Sequence, residues 1–139
     1  MSDTKTKPLT TLTADELRDL ASRVFLSRGV PKDDAAIVSD ILIEANLRGH
    51  DSHGVIRIPK WVVGLESGAL KPICAPDVIN DQGATAMIHG DYGLGPVVAR
   101  QATSMVLDKA KEFGVGLVSV RKASHIGILQ YYSQWLAET

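Results

Sequence analysis

The apolar positions of this chain keep a helical period up to Gly68, then give way to short runs, a second helical stretch, another short run and a last helix. Thr13 and Glu16 have capping-box spacing, and Leu17, Leu20, Ala21, Val24 and Phe25 recur every three or four residues until Gly29, which predicts a helix over 14–28. Pro31 suits the first turn of a second helix and Asp33 and Asp34 complement its positive end. Ile37, Ile41 and Ala45 give that helix an apolar stripe, and Arg48 and Gly49 close it. A third helix is expected from near Ser52 through Ile58, Val62 and Leu65 to Gly68, with Pro59 close enough to its start to be tolerated.

From Lys71 to Pro76 two prolines favour an extended linker, which puts a boundary near residue 72. The apolar segments 77–80 and 85–89 flank Asp81-Gln82-Gly83 and read as paired strands, followed by a turn over 90–95. A helix over 96–113 with Val97, Ala102, Met105, Val106 and Ala110 inward ends at Gly114, before a strand over 115–120 and a final helix near 129–138. Strand, helix, strand implies a crossover. The expected architecture is α/β, a three-helix N-terminal module followed by part of a sheet domain. Residues 1–12 are expected as a disordered lead-in, 13–71 as the helical module and 72–139 as the first part of the sheet domain.

Composition narrows the function classes. The 139 residues are 45% hydrophobic and 22% charged, an ordinary globular balance, and 15 Lys and Arg against 16 Asp and Glu indicate neither nucleic acid nor an anionic membrane as partner. A single cysteine, Cys74, excludes an internal disulfide framework and fits a reducing cytoplasm. The start of the chain lacks an apolar core of signal-peptide type, and no run reaches membrane-spanning length.

Candidate chemistry concentrates at the corner 45–57, Ala-Asn-Leu-Arg-Gly-His-Asp-Ser-His-Gly-Val-Ile-Arg, where a turn alone would need one Gly and a capping Ser or Asp. Ala123-Ser124-His125-Ile126-Gly127 then places a further imidazole after an apolar strand, the position at which α/β folds present reacting groups. His125 is accordingly the first candidate for proton transfer, against a capping or packing role. Ser52 is a candidate catalytic residue and equally an N-cap contributing about 1 kcal/mol. A helix N-terminus would keep His53 neutral, the state a proton acceptor needs. The planar fork of Arg57 can hold both oxygens of a carboxylate. Arg48 is a secondary substrate-binding candidate, its simpler role being to stabilise a helix C-terminus, and His50 reads as surface. Gly93-x-Gly95 before a helix lacks the third glycine of a dinucleotide fingerprint, with Val98 in its place, and is read as a turn that needs positive φ. Amides from Gly127 through Leu129, Gln130, Tyr131 and Tyr132 could meet a phosphate at a helix start. Two alternatives stand beside this: a metal hydrolase using His50-x-x-His53 with His89 or His125, and a noncatalytic helical interaction module.

Asp51-Ser52-His53-Gly54-x-x-Arg57, the Gly93-Leu94-Gly95 turn and Ser124-His125-Ile126-Gly127 together resemble the malate/L-lactate dehydrogenase family, which includes ureidoglycolate and sulfolactate dehydrogenases and cyclic imino-acid reductases. Trp61 stands where a Tyr is common and Gln130 where a small residue often follows. The resemblance implies a fold that is not Rossmann, NAD or NADP as cofactor, a 2-hydroxy or 2-oxo acid as small-molecule substrate and a homodimer. It implies that His125 handles the hydroxyl proton, that Ser52 and His53 form a relay pair, and that Arg57 clamps the carboxylate. It also implies a chain more than twice this long, with a catalytic lysine and most nucleotide contacts beyond Thr139, so that these residues would be an inactive N-terminal fragment.

Overall fold

A computed structural model describes residues 11–139. For residues 1–10 the expected lead-in lies outside the described residues. The helices are α1 (Ala14–Leu26), α2 (Lys32–Leu47), α3 (Ile58–Glu66), α4 (Gly95–Phe113) and α5 (Leu129–Glu138); the strands are β1 (Asp77–Gln82), β2 (Thr85–Gly93) and β3 (Leu117–Ala123). The sheet has the order β1-β2-β3, β1 antiparallel to β2 and β2 parallel to β3, with α4 making the crossover. The α/β architecture read from the hydrophobic pattern is thus present.

The capping box is formed in both directions: the Thr13 hydroxyl accepts from the Glu16 amide and the Glu16 carboxylate accepts from the Thr13 amide. α2 is buried on more than one side. Val38 and Leu42 pack with Phe25, Trp61 and Leu65 of α1 and α3, while Ile41 and Ala45 pack with Ala99, Ile128 and Tyr132 on the sheet side. A third cluster, Ile88, Val98 and Ala102, joins β2 to α4. Lys109, buried in α4, reaches back to the Asp81 carboxylate and donates to the Gly83 carbonyl, so the β1–β2 turn is tied to the crossover helix. β3 is an edge strand. Leu117 is 60% exposed, and an apolar cleft of about 260 Å³ runs between α4, β3 and α5.

Two local expectations are corrected. The third helix begins at Ile58, not near Ser52, because 51–53 and 55–57 form separate 3₁₀ turns broken at Gly54, whose backbone is extended. The turn expected over 90–95 is instead the irregular end of β2. Positive φ falls there on Asp91 (50°) and Tyr92 (57°), not on Gly93 or Gly95, and the register against β3 shifts between His89 and Gly93. The reason is a side-chain latch. The Asp91 carboxylate accepts from Lys71 Nζ at 2.6 Å and from the Ala75 amide at 3.2 Å, pinning the linker beneath the strand end.

The Lys71 ammonium, and after it the Ala75 amide, hold the Asp91 carboxyl below its ordinary value of 3.8. A depressed folded-state pKa gives stability that is complete above the unfolded value and lost as pH falls through the folded one. Asp91→Asn keeps a residue that accepts positive φ. Thermal unfolding from pH 7 to pH 3 is expected to show the variant less stable than wild type at neutral pH, with the gap closing below the ordinary carboxyl range.

Candidate functional site

The corner between α2 and α3 is shaped by α2 itself. Gly49, at φ 75°, ends the helix, and the Asn46 side chain then holds the next turn: its carbonyl oxygen accepts from the Val55 amide at 2.9 Å and its NH₂ donates to the Asp51 carboxylate. Gly54 lies so close beneath Asn46 that a Cβ there would collide with the amide. Asn46 is therefore a structural anchor that hydrophobic pattern did not reveal. The second corner is set by α4. Gly95 presses on the backbone of Ser124 and His125, leaving no room for a side chain, and its amide donates to Ser124 Oγ at 2.7 Å. The close approach, not positive φ, is what requires glycine at 95.

These corners meet. The His53 and His125 rings have centroids 5.0 Å apart, and the buried Trp61 indole lies 6.5 Å from His125. Arg57, Lys60, Trp61, Leu70, Ser124 and His125 line one cavity of about 340 Å³, and Ser52 opens on a neighbouring one that shares Arg57 and Lys60. The Arg57 Nε donates to the Ser52 carbonyl at 2.6 Å, which fixes the stem and leaves the terminal guanidinium nitrogens without a partner among the described residues. Lys60, one turn further along, likewise makes no ion pair among the described residues. Sequence reasoning missed Lys60; its signal is the spacing of three from Arg57, which puts both cations on one helical face. The His125 ring is open to the cavity. Its pKa is nonetheless held below the ordinary imidazole value, first by partial desolvation and then by the positive charges of Arg57, His53 and Lys60.

The start of α5 forms the other wall. His50, His53 and residues 127–130 line a cavity of about 340 Å³ that has no carboxylate. No side chain caps α5, and the Leu129 and Gln130 amides, at its first two positions, have no intrahelical acceptor. This donor-rich, uncapped end fits an anionic group such as a nucleotide phosphate. Gly127 directs the chain there at φ 85°. The Tyr131 and Tyr132 side chains are engaged elsewhere, and the Tyr131 amide already donates to the Ile128 carbonyl at 3.3 Å. The Tyr131 hydroxyl donates to Asp40 at 2.8 Å, and its pKa is pushed up to about 12, first by burial and then by Asp40. The Tyr132 hydroxyl donates to the Ile126 carbonyl, and burial raises its pKa further.

Arg48 stands apart from these cavities. It pairs with Glu44 at 3.1 Å and faces Arg100, Tyr131 and Trp135 in a separate polar cleft. His89 accepts from the Asp91 amide in the β2 irregularity. Among the described residues no three His, Cys, Asp or Glu side chains stand close enough to share a metal ion, so the hydrolase alternative has no ligand set. Among them also, no helix is long and apolar enough to cross a membrane.

Comparison with known proteins gives the chain's relatives and its fold. The family model described as malate/L-lactate dehydrogenase matches residues 12–139. An L-sulfolactate dehydrogenase of Methanocaldococcus jannaschii is 42% identical over 106 residues, which cover 76% of this chain and 31% of that protein. A malate dehydrogenase of Pyrococcus abyssi is 40% identical over 124 residues, 89% of this chain and 34% of that one. In three dimensions the malate dehydrogenase of Pyrococcus horikoshii superposes with a TM-score of 0.90 at 40% identity, over 93% of this chain and 37% of that chain. The chain thus spans about a third of the length of the relatives it matches.

Gly95→Ala is expected to force α4 away from the 124–125 backbone. A loss of about 1–3 kcal/mol in urea unfolding, the usual cost of overpacking, should accompany shifts of the 124–127 amide resonances. An unchanged unfolding midpoint would show that the approach at Gly95 constrains nothing.

Proposed function

Because the chain belongs to the malate/L-lactate dehydrogenase family, we propose that it supplies the acid-binding and proton-handling part of an NAD(P)-dependent oxidoreductase acting at C2 of a 2-hydroxy or 2-oxo acid. The observation that carries this reading is the pair of unneutralised cations, Arg57 and Lys60, in one cavity with His125 and beside His53. A small carboxylic acid matches that cavity in charge, and an imidazole pair matches the proton that its hydroxyl must lose.

In the oxidative direction the C2–H bond breaks and its electron pair leaves as hydride, C2 is oxidised to a carbonyl, and the hydroxyl proton passes to a base. The nicotinamide nucleotide, when bound, supplies the hydride acceptor. Arg57 grips the substrate carboxylate through its free terminal nitrogens, its stem already fixed on Ser52. Lys60 adds a second positive charge, suited to an acid with another anionic group. His125 and His53, with ring centroids 5.0 Å apart, would face the C2 oxygen together, with the Trp61 indole on the core side of His125. The Leu129 and Gln130 amides at the start of α5 would hold a nucleotide phosphate, with Gly127 turning the chain towards them while its own amide is spent on His125.

In this reading the helical module, 13–71, carries Arg57, Lys60 and His53 and the segment 72–139 carries His125, so the site lies at their junction. A homodimer of the relatives' full length and a cytoplasmic setting belong to the same proposal, the latter supported by a free, half-buried Cys74. Turnover by the 139 residues alone is not expected, since the match reaches only about a third of its relatives' length.

The test is NADH and NADPH oxidation with oxaloacetate, pyruvate and glyoxylate, using the 139 residues and a protein of relatives' length that carries them. In the longer protein, Arg57→Lys should chiefly raise KM by about 10-fold, while His125→Ala lowers kcat by about 100-fold. Lys60→Gln should weaken oxaloacetate more than pyruvate. Unchanged turnover in His125→Ala, or full activity of the short chain, would contradict the proposal.

A further inference from the structure

The two imidazoles of the site have hydrogen-bond partners of different kinds. His125 Nδ1 accepts from the Gly127 amide at 3.0 Å. A backbone N–H can only donate, so Nδ1 keeps its lone pair and the ring carries its single hydrogen on Nε2. Charging the ring would set one N–H against another. His53 Nδ1 instead lies 2.9 Å from Ser52 Oγ, and a hydroxyl both donates and accepts. Nδ1–H to Oγ leaves Nε2 of His53 as a base, and the same bond survives when Nε2 gains a proton.

We infer that His125 acts as a neutral hydrogen-bond donor, polarising the substrate's C2 oxygen through Nε2–H, which leaves proton transfer to the Ser52–His53 pair that the family resemblance already implies. This rests on the dehydrogenase reading above and divides its proton chemistry between the two rings. In the reductive direction hydride adds to the C2 carbonyl, the His53 Nε2–H proton moves to the oxygen, and His53 is left neutral with Nδ1–H on Ser52. His125 keeps its hydrogen throughout. A neutral imidazole can serve as the electrophile in this way when its surroundings oppose charge.

The surroundings do oppose it. Arg57 and His53 from the 3₁₀ turns and Lys60 from α3 face His125, and Trp61 of α3, Leu70 from the segment after it and Ser124 just beyond β3 add the rest of the wall, with no carboxylate. Gly127 is the positioning residue. Its amide points at His125 only because φ is 85°, and Ile41 fills the space a Cβ would need, 2.6 Å away. The lock is therefore built into the packing of the loop on α2, not into a flexible side chain.

The experiment is long-range ¹H–¹⁵N correlation spectroscopy on the 139-residue chain with ¹⁵N-labelled histidine and backbone, in wild type and Ser52→Ala. His125 should show the Nε2–H pattern at neutral pH, with a through-hydrogen-bond coupling from Nδ1 to the Gly127 nitrogen, and should charge after His53 as pH falls. Ser52→Ala should alter the His53 pattern and leave that of His125 as it was. L-malate, added to saturation, should shift His125 Nε2 without charging the ring. A His125 bearing hydrogen on Nδ1, or charging before His53, would overturn the division of roles. An intact lock with no response of either ring to L-malate would instead overturn the acid-binding reading, and the donor role with it.

Discussion

α2 is the wall on which the rest of the molecule is hung. Its C-terminus delivers the corner that carries Ser52, His53 and Arg57, and Asn46 ties that corner down. Its flank, through Ile41, touches the loop after His125 so closely that position 127 has no room for a side chain. One rigid helix therefore sets the distance between two motifs far apart in the chain. Burial on two sides is what makes it rigid: Val38 and Leu42 face the helical module while Ile41 and Ala45 face the sheet side, each with almost no exposure.

Charge is distributed unequally around that wall. On one side Asp40 and Glu44 are met by Arg18, Arg48 and the Tyr131 hydroxyl, a network in which every acid has a partner and which docks α5. On the other side Arg57 and Lys60 meet no carboxylate among the described residues. Paired surface charges contribute little to stability, whereas a cavity with unmatched cations is arranged for an anion that comes from elsewhere. The lowered pKa of His125 follows from the same imbalance, because the cations that attract a carboxylate also disfavour a charged imidazole beside them.

Much of this is legible in the residues. The helical period of α1 and its capping box, the crossover through α4 and the crowding of polar residues at 45–57 each have local causes, and the structure repeats them. The departures arise from contacts that no local pattern encodes. The 3₁₀ turns at 51–57 depend on Asn46 reaching forward nine residues to Val55, and the left-handed backbone at Asp91 depends on Lys71, twenty residues earlier. Gly95 looks like a turn glycine until the backbone of His125 is seen against it. Arg48 illustrates the converse: the plain reading of a cation near a helix end, paired one turn back to Glu44, describes where it is found. The convergence of His53 on His125 came from the order of motifs in a family, since spacing alone carries no information about a contact across the fold.

The central claim is that the two corners form one pocket in which the imidazoles face each other. A nuclear Overhauser measurement between the ring protons of His53 and His125, in the chain free of ligand, tests it most directly. The packing of both corners on α2, with ring centroids 5.0 Å apart, predicts a direct cross-peak that weakens in Gly95→Ala. Absence of that cross-peak in the folded chain, with the Phe25 to Trp61 contact of the core still present, would contradict a shared pocket.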